Sequence, residues 1–202
     1  MVFNPKQYFK KYFKKKSVFG IITDFLFILL IVLLIIPGTR TEVTSFFIKH
    51  TSFPPSTLDS EDQFIISQNA QNWVIYDMQG NAHSLKDLNE KPVFLNVWAT
   101  WCPPCIAELP SIKDLHSEYG DKINFILVSD ESPAKVKSFI EKNDYQNLDF
   151  YISSGLPADF STQSIPTTFV ISKKGKVIIN KKGAARWNSS KMKNILNNLI
   201  QD

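Results

Sequence analysis

The chain has only two cysteines. They stand together as Trp101-Cys102-Pro103-Pro104-Cys105, where an apolar strand pattern over Val93–Trp98 gives way to a helical one. A C-x-x-C pair can close a disulfide within one helical turn, so one sulfur can attack a disulfide and the other can resolve the product. The spacing places Cys102 at or just before a helix N-terminus, where unpaired N–H groups and the positive end of the helix dipole favour thiolate over thiol. Three other uses of the pair are weaker. A structural zinc site needs four ligands, and His50, His83 and His116 are not in ligand spacing with the cysteines. Covalent haem attachment needs a histidine where Ile106 stands. An inert disulfide closing so short a loop constrains the unfolded chain little.

The elements around the pair follow from period and punctuation. Trp73–Tyr76 and Ala82–Ser84 are expected to form a hairpin turning at Asp77-Met78-Gln79-Gly80, with a short capped turn over Ser84–Leu88. Strands are expected at 92–98, 123–128, 150–152, 167–171 and 177–179. Helices are expected from Pro103 to Tyr119 with a kink at Pro110, from the Ser132 cap to Asn143, and from Ser189 or Ser190 to Gln201. Alternating strands and helices imply an α/β sheet with helices on both faces. Strand alternation turns Trp98 into the core and leaves Trp101 as the exposed aromatic beside the cysteines.

The front of the chain is different in kind. Lys6, Lys10, Lys11, Lys14, Lys15 and Lys16 precede an apolar run over Val18–Ile36 whose only charge is Asp24. Nineteen helical residues span about 28 Å, near the hydrocarbon thickness of a bilayer, and the lysine bias puts the N-terminus in the cytoplasm. A cleaved signal peptide has the same order of regions, but no A-x-A-like site follows and the apolar run is long for one. The expected organisation is a basic segment at 1–17, a transmembrane signal-anchor at 18–36, a linker at 37–68 and a domain at 69–202. A flexible linker of this length would reach about 30 Å. The net charge of +4 does not point to nucleic acid. Outside the first 36 residues, 17 basic residues face 18 acidic ones, so the basicity belongs to the membrane flank. Lys173, Lys174, Lys176, Lys181 and Lys182 gather around Gly175, as a solvated hairpin would place them.

The stretch Phe94-Leu95-Asn96-Val97-Trp98-Ala99-Thr100-Trp101-Cys102-Pro103-Pro104-Cys105, with Glu108 and Pro110 after it, resembles the membrane-anchored TlpA/ResA-like thiol-disulfide oxidoreductases of the thioredoxin superfamily. The Asp77…Gly80…Ser84-Leu85…Leu88 hairpin and Ser164-Ile165-Pro166-Thr167-Thr168-Phe169 fit the same pattern, and the similarity covers roughly residues 70–202. The resemblance implies a thioredoxin-like fold, a central mixed sheet with an N-terminal hairpin extension, behind one transmembrane helix. It also implies an Ile165–Pro166 bond in cis, which brings that loop beside the cysteines for β-type pairing with an extended substrate. Trp101, Pro103, Pro104, Ile165 and Pro166 then form the substrate surface. By the same analogy Glu108, three residues after Cys105, is a partly buried carboxylate that takes or gives the resolving thiol's proton; a solvent-facing first-turn glutamate is the alternative. Asn96 departs from ordinary thioredoxins, which carry a buried aspartate at this point, and an amide cannot transfer that proton.

The activity implied is reduction of protein disulfides outside the cytoplasm, with Cys102 attacking and Cys105 resolving. Pro103 and Pro104 lack the N–H groups that would stabilise a Cys102 thiolate, which favours a reductant. No cofactor or metal is implied beyond the Cys102–Cys105 redox disulfide. The partners implied are disulfide-bearing proteins, with apocytochrome c among them, and a transmembrane thiol donor of the DsbD/CcdA type. An oxidase or isomerase on the same fold, and a binding module or chaperone with incidental cysteines, are the rival readings. The location implied is a single-pass membrane protein with its catalytic domain in the periplasm or otherwise outside the cytoplasm.

Overall fold

The computed structural model describes residues 16–35, 46, 48, 51–88 and 90–201, without the side chain of Leu34. The lysines from Lys6 to Lys15, residues 36–45 and most of 46–50 lie outside the described residues. The chain divides into two units, Met1–Val43 and Thr44–Asp202.

In the first unit, α1 (Val18–Ile35) is an 18-residue helix. Ser17 caps it by accepting the Gly20 N–H at 3.3 Å, and Lys16 forms an ion pair with Asp24. Among the described residues no helix is long and apolar enough to cross a membrane. The transmembrane span expected over 18–36 is therefore unsupported by the structure.

The second unit is built on β1 (Phe64–Ile65), α2 (Gln68–Gln71), β2 (Val74–Asp77), β3 (Ala82–Ser84), β4 (Val93–Val97), α3 (Pro103–Tyr119), β5 (Asn124–Ser129), α4 (Pro133–Asn143), β6 (Phe150–Ile152), β7 (Thr167–Ile171), β8 (Lys176–Lys182) and α5 (Ser190–Gln201), with a 3-10 turn at Ala158–Phe160. The strands form one mixed sheet in the order β1-β8-β7-β4-β5-β6-β2-β3. β4 pairs in parallel with β5, and β5 with β6, while the other pairings are antiparallel. Every residue of β4 is buried, Asn96 among them, as a strand covered on both faces requires.

Alternation along β4 sorts the core into two layers. Phe94 and Trp98 join Phe125, Leu127 and the buried residues of α3, α4 and α5. Val93, Leu95 and Val97 join Ile126, Val128 and Phe169. The expectation of helices on both faces is met unevenly. α3 and α4 pack on one face because β4, β5 and β6 step across the sheet in one direction, and right-handed crossovers then fall on one side; α5, which follows β8, joins the same layer. The other face is covered by Ile66, Ala70 of α2, Leu85 and Phe160 of the 3-10 turn.

The expected tether over 37–68 is also corrected at its C-terminal end. Phe64 and Ile65 pair with Val177 and Lys176 of β8, the Leu58 N–H donates to the Ile178 carbonyl at 2.8 Å, and the Phe53 carbonyl accepts the Arg186 N–H at 3.1 Å. The sheet therefore begins before residue 69. A two-residue strand carries no period, and its partner lies more than a hundred residues away.

The hairpin turns where expected. Asp77 Oδ1 accepts the Gln79 and Asn81 N–H groups at 2.9 and 2.8 Å, Oδ2 meets His83 Nε2 at 3.0 Å, and Gly80 supplies the positive φ of 86°. The His83 contact, then Asn81, hold the Asp77 carboxyl well below the usual carboxylate range.

Phe94 belongs to the helix-covered layer. It is 0% exposed, lies 5.1 Å from Phe125 and meets Trp187 edge-on at 4.9 Å. Phe94→Ala is expected to lower unfolding free energy by about 3–5 kcal/mol, read from urea denaturation at fixed pH.

Candidate active site

The loop after β4 ends at Cys102, which is the N-cap of α3 with φ −95° and ψ 103°. Two prolines occupy the first helical positions, where their missing N–H groups cost no intrahelical bond. The first amide able to face the cap sulfur belongs to Cys105, and it donates to Cys102 Sγ at 3.3 Å. Cys102 and Cys105 form a disulfide. Both are buried, at 3% and 1% exposure, while Trp101 beside them is 63% exposed. Pro103 and Pro104 are half-buried. The Ile165–Pro166 bond is cis, and the Ile165 carbonyl lies 3.7 Å from Cys102 Sγ. The sequence-predicted surface of Trp101, Pro103, Pro104, Ile165 and Pro166 is thus drawn around one sulfur, although Pro166 itself is buried. A cleft of ≈ 340 Å³ is lined by Trp101 and Ile165 together with Ser153 and Leu156.

Glu108 lies one turn after Cys105 and is 2% exposed, which excludes the solvent-facing alternative. Oε1 accepts from Asn96 Nδ2 at 2.8 Å, and Oε2 accepts from the Ala185 N–H at 3.0 Å and from Trp187 Nε1 at 2.9 Å. Burial raises its pKa from 4.5 to about 7, against the opposing pull of Trp187, Ala185, Asn96 and, through space, Lys181. A carboxyl group poised there can hold or release a proton at neutral pH. Asn96 also donates to Thr168 Oγ1 at 2.8 Å. Among the described residues its Oδ1 has no hydrogen-bond partner. Turned over, that amide would offer its oxygen to a protonated Glu108, so one side chain can serve both protonation states.

Several residues of the site carry no sequence signal. Trp187 and Ala185 lie 79 and 77 positions from Glu108, on a loop whose only local mark is Gly183 with a φ of 77°. Thr100 and Glu131 join the redox loop to the loop after β5. The expected surface histidine, His116, meets Asp149 at 3.1 Å and the Phe125 ring at 5.0 Å, away from the dithiol's contacts. Among the described residues no cluster of three or more His, Cys, Asp or Glu could hold a metal ion.

The redoxin family pattern matches residues 58–196. The thiol-disulfide oxidoreductase ResA of Bacillus cereus is 37% identical over 122 residues, 58% of this chain and 70% of that protein. The thioredoxin-like protein YneN of Bacillus subtilis is 33% identical over 114 residues, 54% of this chain and 67% of its own length. A secreted Mycobacterium tuberculosis disulfide oxidoreductase, described as homologous to Escherichia coli DsbE, superimposes with a TM-score of 0.53 at 18% identity, covering 67% of this chain and all of its own. That last likeness speaks to the fold alone.

The Glu108 carboxyl couples pH to stability. Its folded pKa of about 7 lies above the ordinary 4.5 of a free glutamate, so folding favours the protonated acid. Its favourable contribution is complete below pH 4.5, falls as pH rises toward 7, and is gone above that. Urea titrations from pH 4 to 8 should show up to about 3 kcal/mol of such loss in the wild type and a flatter profile in Glu108→Gln.

Proposed function

Because the chain belongs to the redoxin family and is a ResA-like thiol-disulfide oxidoreductase of the thioredoxin superfamily, we propose that it reduces protein disulfides outside the cytoplasm through Cys102 and Cys105. The observation that carries this reading is the cis-Pro166 loop laid 3.7 Å from Cys102 Sγ, with a proton-holding Glu108 behind Cys105.

In the reduced enzyme the Cys102 thiolate attacks one sulfur of a substrate disulfide. The substrate S–S bond breaks, a mixed disulfide forms, and one substrate thiolate leaves. Cys105 gives its proton to ionised Glu108, and its thiolate attacks Cys102 Sγ. The mixed disulfide breaks, the second substrate thiolate leaves, and Cys102–Cys105 is left oxidised by two electrons. The Ile165 carbonyl and its neighbours receive the extended substrate backbone, and Trp101 covers one flank of the scissile bond. A donor dithiol must then return two electrons, and we assign this to a transmembrane thiol donor of the DsbD/CcdA type. Apocytochrome c is one substrate class that fits.

The reducing direction is supported by the sparse donation to Cys102: with Pro103 and Pro104 lacking N–H groups, one amide, that of Cys105, faces Sγ. Fewer donors stabilise the thiolate less, which shifts the couple toward reductant. Membrane attachment with the N-terminus in the cytoplasm is supported by the lysines ahead of α1 and by the exposed Phe19, Phe25 and Phe27 on that helix. After Asp24 the helix is apolar on every side and needs apolar surroundings, and Ile36 extends the run in sequence.

Cys105→Ser in the intact chain should accumulate mixed disulfides with its substrates in cells, and Cys102→Ser should accumulate none. Cys102→Ser should also abolish insulin reduction. A measured potential near the oxidising extreme of ~ −120 mV would overturn the reducing direction. Carbonate extraction of membranes tests the anchor, which is expected to keep the chain in the pellet.

A further inference from the structure

β4 and β5 run side by side in parallel, and their C-terminal ends release the two loops that flank the cleft. The backbone ladder ends with the Trp98 N–H donating to the Val128 carbonyl at 3.1 Å. Beyond that point a carboxylate makes the connection. Glu131 Oε2 accepts the Thr100 N–H at 2.6 Å and Oε1 accepts the Thr100 hydroxyl at 2.9 Å. Thr100 is two residues before Cys102, so the turn that carries Trp101 and the attacking sulfur is held at its root by a side chain from the neighbouring strand's loop.

Glu131 is itself fixed. Its side chain is 7% exposed and pairs with Lys135 one turn into α4, and its N–H donates to Ser129 Oγ at 3.2 Å. Burial pushes its carboxyl pKa up, but Lys135 and the two Thr100 donors outweigh that and hold it below the ordinary value. A bare carboxylate close to the dithiol would disfavour the Cys102 thiolate. A lysine bonded to it removes most of that penalty while leaving both oxygens available to Thr100.

We propose that Glu131 is a positioning residue for the dithiol: it ties the redox loop to the β5–α4 loop so that Trp101 and Cys102 present a fixed face to an incoming disulfide, and its pairing with Lys135 keeps the tie from placing unbalanced negative charge near the thiolate. The incoming disulfide rests on the function proposed above. The tie does not.

The test uses full-length chain in detergent. The rate of Cys102 alkylation by iodoacetamide is followed against pH in a Cys105→Ser background, and insulin reduction is measured with both cysteines present. Glu131→Ala leaves the Thr100 N–H without its acceptor and should slow insulin reduction about tenfold, mainly through KM. Glu131→Gln keeps an acceptor for the N–H and a donor for the hydroxyl, and should recover to within about threefold of wild type. The charge half of the proposal gives opposite shifts. Lys135→Met should move the alkylation midpoint to higher pH, and Glu131→Gln to the same or lower pH. If Glu131→Ala does not fold, the Gln and Met variants still decide the matter, since a purely structural carboxylate would give no opposed shifts. Glu131→Gln no more active than a folded Glu131→Ala, or alkylation profiles coincident across all variants, would overturn the proposal. A wild-type chain whose alkylation responds as described but which reduces no insulin would overturn the reductase reading and leave the tie standing.

Discussion

The redox half of the molecule is organised around a carboxylate that has been taken out of water. Removing Glu108 from solvent is costly unless its oxygens are matched by donors. The three donors come from two separate parts of the chain: the central strand through Asn96, and the Ala185 backbone and Trp187 indole of the loop that leads into α5. Helix, sheet and C-terminal loop must therefore all be in place before the acid is satisfied, and the same contacts that hold the group fix the helix carrying Cys105. Trp187 serves twice, since its ring also closes edge-on against Phe94.

The residue opposite the acid follows from the same constraint. A second carboxylate at position 96 would share one dry site with Glu108, and both could not be ionised together. An amide supplies a donor without a charge and leaves Glu108 as the one titrating group of that pocket. Ordinary thioredoxins concentrate buried acidity on the strand; here it sits on the helix, one turn from the resolving cysteine.

What the sequence shows clearly is what is local. The strand and helix flanking Cys102, the Asp77–Gly80 turn and the Ile165–Pro166 loop lie within short windows whose period or residue types carry the signal. The long-range matches are different. That Glu131 reaches Thr100, that Trp187 reaches Glu108 and that Phe64 pairs with Val177 depends on register between distant segments, and nothing in the residues nearby marks it. The unequal covering of the sheet's faces was likewise a matter of strand order rather than of any one strand's pattern. Even the linker misled for a physical reason: two residues in a sheet carry no alternation to detect.

The sheet ends on β1 with two residues and on β3 with three. A bare edge strand is a template on which another chain can polymerise, and short edges remove most of that opportunity. This bears on a protein proposed to receive extended, disulfide-bearing substrate segments, whose backbone groups are unpaired. The Ile165 loop is the place proposed for such a segment to pair, and either rim of the sheet offers little purchase. Docking β1 along β8 thus leaves that rim too short to serve as a template for another unpaired strand.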